Sequence, residues 1–340
     1  MAKRILVTGG CGFVGHHFVE HLIKNTDWDI VVLDKLTYAS EGFDRLRDID
    51  CFDNKRITIL TYDFRNPLSK GIKKEIGKVD YIVHMGAETH VDRSIENPLP
   101  FIESNIIGTY NMLEFAFEFA KEIRLKKFLY FSTDEVFGPA LYGEKFKENS
   151  RYNPSNPYAA TKASAEMLCM AYANCYKLPI VIVRSMNIFG ERQYFEKFIP
   201  STIRKVLLGE EVIIHADPTC TIPGSRFYIH ARNVADAILF ILEKTNEFVC
   251  KEDTQSGKFN IVGEKEVNNL ELAQFIAKVI GKPLKYKLVD FHSSRPGHDL
   301  RYALDGSKLT KLGWKLPKTF EQSLEKTIKW TLENRKWINL

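Results

Sequence analysis

Residues 5–15 read Ile-Leu-Val-Thr-Gly-Gly-Cys-Gly-Phe-Val-Gly, and this stretch decides the fold. An apolar run typical of a strand leads into Gly9, Gly12 and Gly15, and a helical pattern follows. Glycine permits a tight turn, lets the backbone approach a pyrophosphate and lets the helix pack on the strand. The helix N-terminus then offers unpaired N–H groups to an anion. Three glycines alone are weak evidence, but their position between a strand and a helix favours a dinucleotide-binding turn.

Short apolar runs alternate with helical patterns through the first half of the chain. Further strands are predicted at 30–33, 57–60, 81–84, 128–131 and 180–183, and long helices at about 101–123 and 156–176. Continuous runs of Val, Ile and Leu are typical of strands that are buried on both faces of a parallel sheet. The alternation therefore predicts an α/β fold with a doubly wound parallel sheet, and the glycine turn after its first strand is typical of the dinucleotide-binding Rossmann type.

The pattern changes after about Arg184, where elements shorten and turn residues such as Pro and Gly become frequent. We expect residues 1–185 to form the NAD-binding domain, with room for core elements from later segments. Residues 186–340 are expected to form a smaller, mixed α/β lobe that binds substrate. A cleft between the two lobes is the expected substrate site.

Composition narrows the class of protein. The chain has 340 residues, 44% of them hydrophobic, and lacks the run of about 18 apolar residues that crosses a membrane. Its start is too short an apolar stretch for a signal peptide, so we expect a soluble cytoplasmic protein. The six cysteines form no Cys-x-x-Cys pair and the nine histidines have no ligand spacing, so no metal site is predicted. A net charge of +5 does not indicate a nucleic-acid partner.

Asp34 ends the second predicted strand, 19 positions after Gly15. A carboxylate there can accept hydrogen bonds from the adenosine ribose and repels a 2′-phosphate, which favours NAD over NADP. The alternative is an ordinary turn or helix-cap aspartate, and Lys35 beside it can soften the discrimination. Asp63 and Phe64 follow the third predicted strand and are expected near the adenine, although Asp63 also fits an ordinary turn.

Tyr158 and Lys162 are spaced i and i+4, which places them on one face of a helix. The ammonium group favours the phenolate and is expected to lower the pKa of the tyrosine. Such a tyrosine can take a proton from a sugar hydroxyl while hydride leaves the same carbon for NAD, and the lysine can hold the nicotinamide ribose. The alternative is a surface pair on an amphipathic helix, which the glycine motif upstream disfavours.

Thr133, Asp134 and Glu135 follow the fifth predicted strand, at the edge where ligands bind in a doubly wound sheet. Two adjacent carboxyl groups after a buried strand are costly if they are unpaired. They can divide acid and base work if their environments separate their pKa values. The alternative is a solvated turn or helix cap, and the position at the strand end favours catalysis.

Taken together, seven segments resemble the dTDP-glucose 4,6-dehydratases of the extended short-chain dehydrogenase superfamily. They are 8–15, 34–39, 88–94, 132–138, 158–162, 195–200 and 295–299, and the resemblance spans roughly residues 3–330. The Thr-Asp-Glu run at 133–135 is the most diagnostic segment. The glycine motif and the Tyr-Lys pair occur also in epimerases and decarboxylases of the same superfamily.

The resemblance implies that dTDP-glucose or UDP-glucose is dehydrated to the 4-keto-6-deoxy sugar, a precursor of deoxysugars such as rhamnose. Tyr158, aided by Thr133, removes the proton of the 4-hydroxyl as hydride passes from C4 to NAD. Glu135 takes the C5 proton while Asp134 protonates the departing 6-hydroxyl, and water leaves. Hydride then returns to C6, so NAD is expected to stay bound.

The resemblance also implies two sets of binding residues. The cofactor set is Gly9, Gly12, Phe13, Val14, Gly15, Asp34, Lys35, Leu36, Thr37, Asp63, Phe64, Ala87, Ser104, Tyr158 and Lys162. The substrate set is Glu88, His90, Thr133, Asn187, Lys197, His215, Arg226, Asn260, Arg295 and His298. The two arginines suit a diphosphate because a guanidinium forks onto its oxygens, and the alternative for each is a surface salt bridge.

Three positions depart from the family pattern. Ile188 stands where a second Asn is common, His215 where Tyr is common, and Phe227 where Asp is frequent. These positions cluster around the nucleotide end of the substrate, so the choice between thymidine and uridine stays open. The two bases differ by one methyl group, which a pocket discriminates only modestly. The resemblance further implies a homodimer formed through the helices near 101–123 and 156–176.

Two alternatives to the dehydratase stay open at this point. A 4-epimerase or decarboxylase of the superfamily needs the Tyr-Lys pair but has no need of Asp134 and Glu135. A non-catalytic NAD-binding regulator needs only the glycine turn, and the intact set of reactive residues disfavours it.

Overall fold

The computed structural model describes residues 2–122, 125–291 and 300–340. Its strands are β1 (Arg4–Thr8), β2 (Asp29–Asp34), β3 (Ile57–Thr61), β4 (Tyr81–His84), β5 (Lys127–Thr133), β6 (Ile180–Ser185), β7 (Asn187–Phe189), β8 (Val212–Ala216), β9 (Ser225–His230), β10 (Lys258–Ile261), β11 (Glu266–Asn268) and β12 (Tyr286–Asp290).

The helices surround these strands. They are α1 (Phe13–Asn25), α2 (Asp44–Asp48), α3 (Lys70–Ile76), α4 (Val91–Glu96), α5 (Leu99–Phe101), a π-helix (Ile102–Ile107), α6 (Gly108–Glu122), a 3₁₀-helix (Asp134–Phe137), α7 (Pro157–Tyr176), α8 (Phe198–Leu208), α9 (Ala231–Lys244), α10 (Asn269–Ile280), α11 (Ser307–Lys311), α12 (Phe320–Glu333) and a 3₁₀-helix (Arg335–Ile338). No described helix is long and apolar enough to cross a membrane.

Seven parallel strands form the main sheet in the order β10-β6-β5-β4-β1-β2-β3. The predicted α/β fold with a doubly wound parallel sheet is therefore confirmed. The chain runs outward from β1 to β3 and then restarts at β4 on the other side of β1. Ligands of such sheets bind at this reversal, beyond the carboxyl ends of the strands.

Helices cover both faces of the main sheet, which is why its strands are apolar throughout. In β1, Ile5 and Val7 pack on the face that α1 and α9 cover. Leu6 between them packs on the other face, against α6 and α7. Residues from the second half of the chain complete this unit, because β10 pairs with β6 and α9 packs along α1.

The remaining elements build a smaller lobe. It contains a three-stranded sheet β11-β9-β7 and a two-stranded sheet β12-β8. Helices α8, α10 and α12 pack on these strands around Phe189, Ile203 and Leu324. Met186, between β6 and β7, joins the main sheet to the lobe at the carboxyl edge of β6, where the site lies.

Gly15→Ala should destabilise the fold, because a Cβ at this position would lie 2.0 Å from the carbonyl oxygen of Gly9. We expect the free energy of unfolding to fall by about 1–3 kcal/mol or more, as in other overpacked sites. Urea denaturation measures the change. Gly71→Ala in α3 is the control, since its nearest neighbour would lie 3.8 Å away, and a stability as low as that of Gly15→Ala would contradict the packing argument.

Candidate active site

The glycine turn connects β1 to α1 and exposes the start of the helix. Gly9 has φ +72°, a conformation that favours glycine, and its carbonyl accepts a hydrogen bond of 3.0 Å from the Gly12 N–H. Gly12 precedes α1 without a side chain to cap it. The first N–H groups of α1 are therefore available to an anion such as a pyrophosphate.

Asp34 at the end of β2 is buried beside the glycine turn. One carboxylate oxygen accepts the Cys11 N–H at 3.0 Å and the other accepts the Leu36 N–H at 2.9 Å. Burial raises the pKa of Asp34, and these two hydrogen bonds oppose that shift. Lys35 forms an ion pair with Glu88 at 3.1 Å. The lysine charge is thus balanced by a carboxylate from the loop after β4.

A cavity of about 320 Å³ runs along the carboxyl edge of the main sheet. Of the predicted cofactor residues, the structure places these along its wall: Gly9, Gly12, Phe13, Val14, Gly15, Asp34, Lys35, Thr37, Phe64, Ala87, Tyr158 and Lys162. Of the predicted substrate and catalytic residues, the wall includes His90, Thr133, Glu135, Asn187 and Lys197. The sequence motifs therefore converge on one cavity.

Tyr158 and Lys162 lie in the first turns of α7, and both are buried. Asn156 caps this helix by accepting the Ala159 N–H at 2.8 Å. The Lys162 ammonium donates to the Phe131 carbonyl at 2.7 Å and lies 4.3 Å from the centre of the Tyr130 ring. Burial lowers the pKa of Lys162 to about 8.

The expected lowering of the Tyr158 pKa is wrong for this structure. Burial, and next the charge of Glu135, raise the pKa of Tyr158, and a hydrogen bond with Thr133 only partly offsets them. The Lys162 ammonium is directed to a backbone carbonyl instead of the phenol. Helical spacing places Tyr158 and Lys162 on one face of α7, but it does not determine which acceptor the Lys162 ammonium binds.

Asp134 and Glu135 share one turn but have different surroundings. Asp134 is buried and accepts a hydrogen bond of 3.0 Å from the Thr133 hydroxyl. Burial, reinforced by the charge of Glu135, raises the pKa of Asp134 to about 7. Glu135 lies on the cavity wall and accepts a hydrogen bond of 3.1 Å from the Asn156 amide. The pair therefore offers an acid that holds its proton near neutral pH and a separate carboxylate that faces the cavity.

Comparison with known proteins agrees with this geometry. The family model described as GDP-mannose 4,6 dehydratase matches residues 6–327. The dTDP-glucose 4,6-dehydratase of Salmonella typhimurium is 34% identical over 99% of this chain and 94% of its own length. The trifunctional UDP-glucose 4,6-dehydratase/UDP-4-keto-6-deoxy-D-glucose 3,5-epimerase/UDP-4-keto-L-rhamnose-reductase of Arabidopsis thaliana is 36% identical over 98% of this chain, which covers 48% of that protein. Among solved structures, the dTDP-glucose 4,6-dehydratase of Streptomyces venezuelae with NAD bound has a TM-score of 0.84, at 32% identity and 98% coverage of both chains.

The chain belongs to the nucleotide-sugar 4,6-dehydratase family. The resemblance carried by the sequence motifs is therefore confirmed. Membership of this family of enzymes also disfavours the alternative of a non-catalytic NAD-binding regulator. Within the family chemistry, the adjacent Asp134 and Glu135 are the feature that an epimerase or decarboxylase does not need.

Several predicted site residues do not lie on the cavity wall. Leu36, Asp63, Glu88, Ser104, Asp134, His215, Arg226 and Asn260 are absent from it, and Arg295 and His298 lie outside the described residues. Asp63 pairs with Arg65 at 2.6 Å. The buried Asn260 amide donates to the carbonyls of Phe146 and Asp305, each at 3.2 Å. These contacts give Asp63 and Asn260 structural roles in this conformation.

The structure also adds residues that sequence reasoning missed. Asn105, in the π-helix, accepts the Glu88 N–H at 2.9 Å and donates to the Glu88 carbonyl and to the Thr161 hydroxyl, each at 3.0 Å. It thereby fastens the loop after β4 to the helix that carries Tyr158. Ser94 in α4 accepts the Tyr158 N–H at 3.1 Å. The one signal for Asn105 was an amide within an apolar helical pattern, which periodicity alone does not assign to a site.

Asp134→Asn should change how stability depends on pH. The folded protein keeps a proton on Asp134 up to about pH 7, whereas the unfolded chain loses it near the ordinary aspartate pKa of 3.8. Between these values the folded state binds more protons, so stability falls as pH rises, by up to about 1.4 kcal/mol per pH unit. Denaturation from pH 4 to 7 should show this slope in the wild type and a flatter one in the variant.

Asp80→Asn is the control, because the contribution of Asp80 to stability depends on pH in the opposite direction. Ion pairing with Lys126 and a hydrogen bond from the Arg4 backbone lower the pKa of Asp80 despite the opposing effect of burial. Its contribution to stability is present above the unfolded pKa and is lost as pH falls through the folded pKa. Identical pH slopes for the wild type and Asp134→Asn would refute the buried, protonated Asp134.

Proposed function

We propose that this chain is an NAD-dependent hydro-lyase that converts dTDP-glucose or UDP-glucose to the 4-keto-6-deoxy sugar. The observation that carries this proposal is the pair of adjacent carboxyl groups with separated environments, Asp134 buried and Glu135 on the cavity wall beside Tyr158. The similarity to proteins named dTDP-glucose and UDP-glucose 4,6-dehydratases over nearly the whole chain supports it.

The cavity fits NAD at its glycine-turn end. The uncapped N-terminus of α1 suits the pyrophosphate, and Gly9 and Gly86 leave no side chain between the loops after β1 and β4. Asp34 suits the adenosine ribose hydroxyls, and Lys162 suits the nicotinamide ribose. When bound, NAD supplies a hydride acceptor that becomes the donor for the return step.

Tyr158 and Thr133 serve the oxidation at C4. Tyr158 and Thr133 both line the cavity, so both groups can reach a sugar hydroxyl that enters beside them. Burial and Glu135 hold the phenolic proton in this conformation. A bound, positively charged nicotinamide would favour the phenolate, so we propose that Tyr158 loses its proton to solvent when the cofactor is bound and then accepts the 4-hydroxyl proton of the sugar.

Asp134 and Glu135 serve the elimination. Glu135 takes the proton from C5, which the neighbouring 4-ketone has made acidic. Asp134 does not line the cavity in this conformation, but it retains its proton near neutral pH, and we propose that it gives this proton to the departing 6-hydroxyl once the sugar is bound. The Thr133 hydroxyl donates to Asp134, and the Asn156 amide donates to Glu135, so each carboxyl group is oriented by its own neighbour.

The smaller lobe is proposed to hold the nucleotide end, with residues 186–340 as the substrate-binding part and 1–185 as the NAD-binding part. Arg226 donates to the Ser225 and Leu300 carbonyls at 2.7 and 2.5 Å, and its guanidinium lies 4.8 Å from the Tyr302 ring. A guanidinium held this firmly suits diphosphate recognition. His215 packs at 5.9 Å on Phe291, and we propose that it supports the base.

The reaction is tested by the mass of its product. The purified protein is incubated separately with dTDP-glucose and UDP-glucose, with no NAD added. Loss of one water from either sugar nucleotide is the expected result, and the relative rates give the base preference. An unchanged mass with an altered sugar configuration would instead support a 4-epimerase, and loss of carbon dioxide from UDP-glucuronate would support a decarboxylase.

Glu135→Gln and Tyr158→Phe should separate the two halves of the reaction. Glu135→Gln removes the C5 base but leaves the oxidation at C4, so NADH absorbance should appear on mixing with substrate while dehydration falls by about 10²–10⁴-fold. Tyr158→Phe should lose both signals. Full dehydration by Glu135→Gln would contradict the role given to Glu135.

A homodimer is proposed through the exposed apolar side chains of α5, the π-helix, α6 and α7. These side chains are Leu99, Ile102, Ile107, Tyr110, Met167 and Tyr176. The helices pack side by side, so their apolar side chains can form a continuous face.

A cytoplasmic location is also proposed, since all six cysteines are free thiols.

Met167→Glu should convert the dimer to a monomer. A twofold interface repeats the substitution on both copies, so each copy would bury an unpaired charge in the interface. Light scattering at micromolar concentration measures the mass. Tyr142→Glu is the control, since Tyr142 is 98% exposed and lies on none of these helices, in the loop that precedes α7. A dimer that survives Met167→Glu would exclude this face.

A further inference from the structure

Two loops that belong to different parts of the fold meet at the cavity. Residues 35–43 follow β2 on the glycine-turn side, and residues 190–197 lie in the smaller lobe between β7 and α8. Tyr38 from the first loop and Tyr194 from the second both line the cavity. Their ring centres lie 5.9 Å apart with an interplanar angle of 71°, an edge-to-face contact.

Arg93 joins both loops although it lies on neither. Its guanidinium carbon lies 3.8 Å from the centre of the Tyr38 ring, and its nitrogen lies 3.2 Å from the Glu196 carboxylate. These partners raise the pKa of Arg93 although partial burial opposes the shift. His90, on the cavity wall, lies 3.4 Å from the same Glu196 carboxylate.

We infer that Arg93, Tyr38, Tyr194 and Glu196 form a clasp that holds these two loops together and retains NAD in the cavity. This inference rests on the proposed function for its purpose, because hydride taken from C4 has to be returned to C6 by the same cofactor molecule. If the reduced cofactor dissociated between these steps, the sugar would remain a ketone and no hydride would be available for C6. The chemistry therefore requires that NAD leaves more slowly than the cycle proceeds.

The bases of both loops are anchored independently of Arg93. The buried Arg45 donates to the Ala39 and Ser40 carbonyls at 2.6 and 2.7 Å, which fixes the first loop. The buried Glu191 accepts a hydrogen bond of 2.9 Å from His230, which fixes the second. Arg45 also donates to the Arg192 carbonyl at 2.9 Å, so the bases of the two loops stay joined without Arg93. Removing Arg93 should therefore release only the contact near Tyr38 and Tyr194 and leave the fold intact.

The clasp is also exposed enough to open. The side chains of Arg93 and Glu196 are 36% and 34% exposed, and ion pairs of this kind contribute little to stability. The stacking of Arg93 on Tyr38 is the larger contribution, since a guanidinium on an aromatic ring is attracted to its face. A contact of this strength can slow the release of a ligand without preventing it.

Exchange of bound NAD for isotopically labelled NAD, followed without substrate, tests the clasp. Arg93→Ala should exchange on the order of ten times faster than the wild type, the factor expected from one stacked cation. Arg93→Lys keeps the charge but loses the planar stack and should fall between the two. The melting temperature of both variants should stay close to that of the wild type.

Arg47→Ala is the matched control. Arg47 also stacks on an aromatic ring, with its guanidinium carbon 4.7 Å from the centre of Phe52, but it does not line or border the cavity. Its exchange rate should equal that of the wild type. An unchanged rate in Arg93→Ala, or an equal increase in Arg47→Ala, would overturn the clasp. Because exchange is read without turnover, failure of the clasp is distinguishable from failure of the proposed dehydration.

Discussion

Three backbone segments approach one another at the reversal of the main sheet with no room for a Cβ between them. A side chain at Gly9 would lie 2.7 Å from the Gly86 Cα, and one at Gly86 or Gly108 would lie 2.7 Å from the Phe64 ring. This close approach brings the loops after β1 and β4 together and seats the N-terminus of α6 against Phe64. The cofactor end of the cavity depends on it, because any added atom would push these segments apart.

A buried hydrogen-bond chain holds the same segments in register. The Thr8 hydroxyl accepts the Gly86 N–H at 3.1 Å and donates to His84 at 2.7 Å, while the other ring nitrogen of His84 donates to the Thr109 hydroxyl at 3.1 Å. Thr109 donates onward to the Asn105 carbonyl at 2.7 Å, so it has only its acceptor left for the histidine. Burial lowers the pKa of His84 to about 3, which keeps the ring neutral and fixes its tautomer. Neutrality matters, since a protonated ring could not accept from Thr8.

Whether a feature of the fold or the site could be predicted from the sequence depends on how far apart in the chain its interacting residues lie. The glycine turn, Asp34 and the Tyr158–Lys162 pair are local patterns on single elements, so the sequence identified them and the doubly wound sheet. Hydrogen-bond partners that come from distant elements were not predictable. The Lys35–Glu88 pair joins two loops, Asn105 depends on a π-helix that periodicity does not distinguish from an α-helix, and the Lys162 ammonium chooses a backbone carbonyl. The predicted direction of the Tyr158 pKa shift was wrong for the same reason. Burial and the charge of Glu135 raise this pKa, and helical spacing predicts neither of them.

The residues proposed to react and the residues proposed to hold the nucleotide are anchored differently around the cavity. Groups proposed to react are anchored in the main sheet and α7, where Thr133, Asn156 and Asn105 fix their orientation through buried hydrogen bonds. Groups proposed to hold the nucleotide belong to short strands and loops of the smaller lobe, where Arg226 depends on backbone carbonyls for its position. Departures from the family pattern can accumulate at the second set without disturbing the first. If the proposed roles hold, a change at His215 or Phe227 should alter which base is preferred, whereas a change at Asp134 should alter whether water can leave at all.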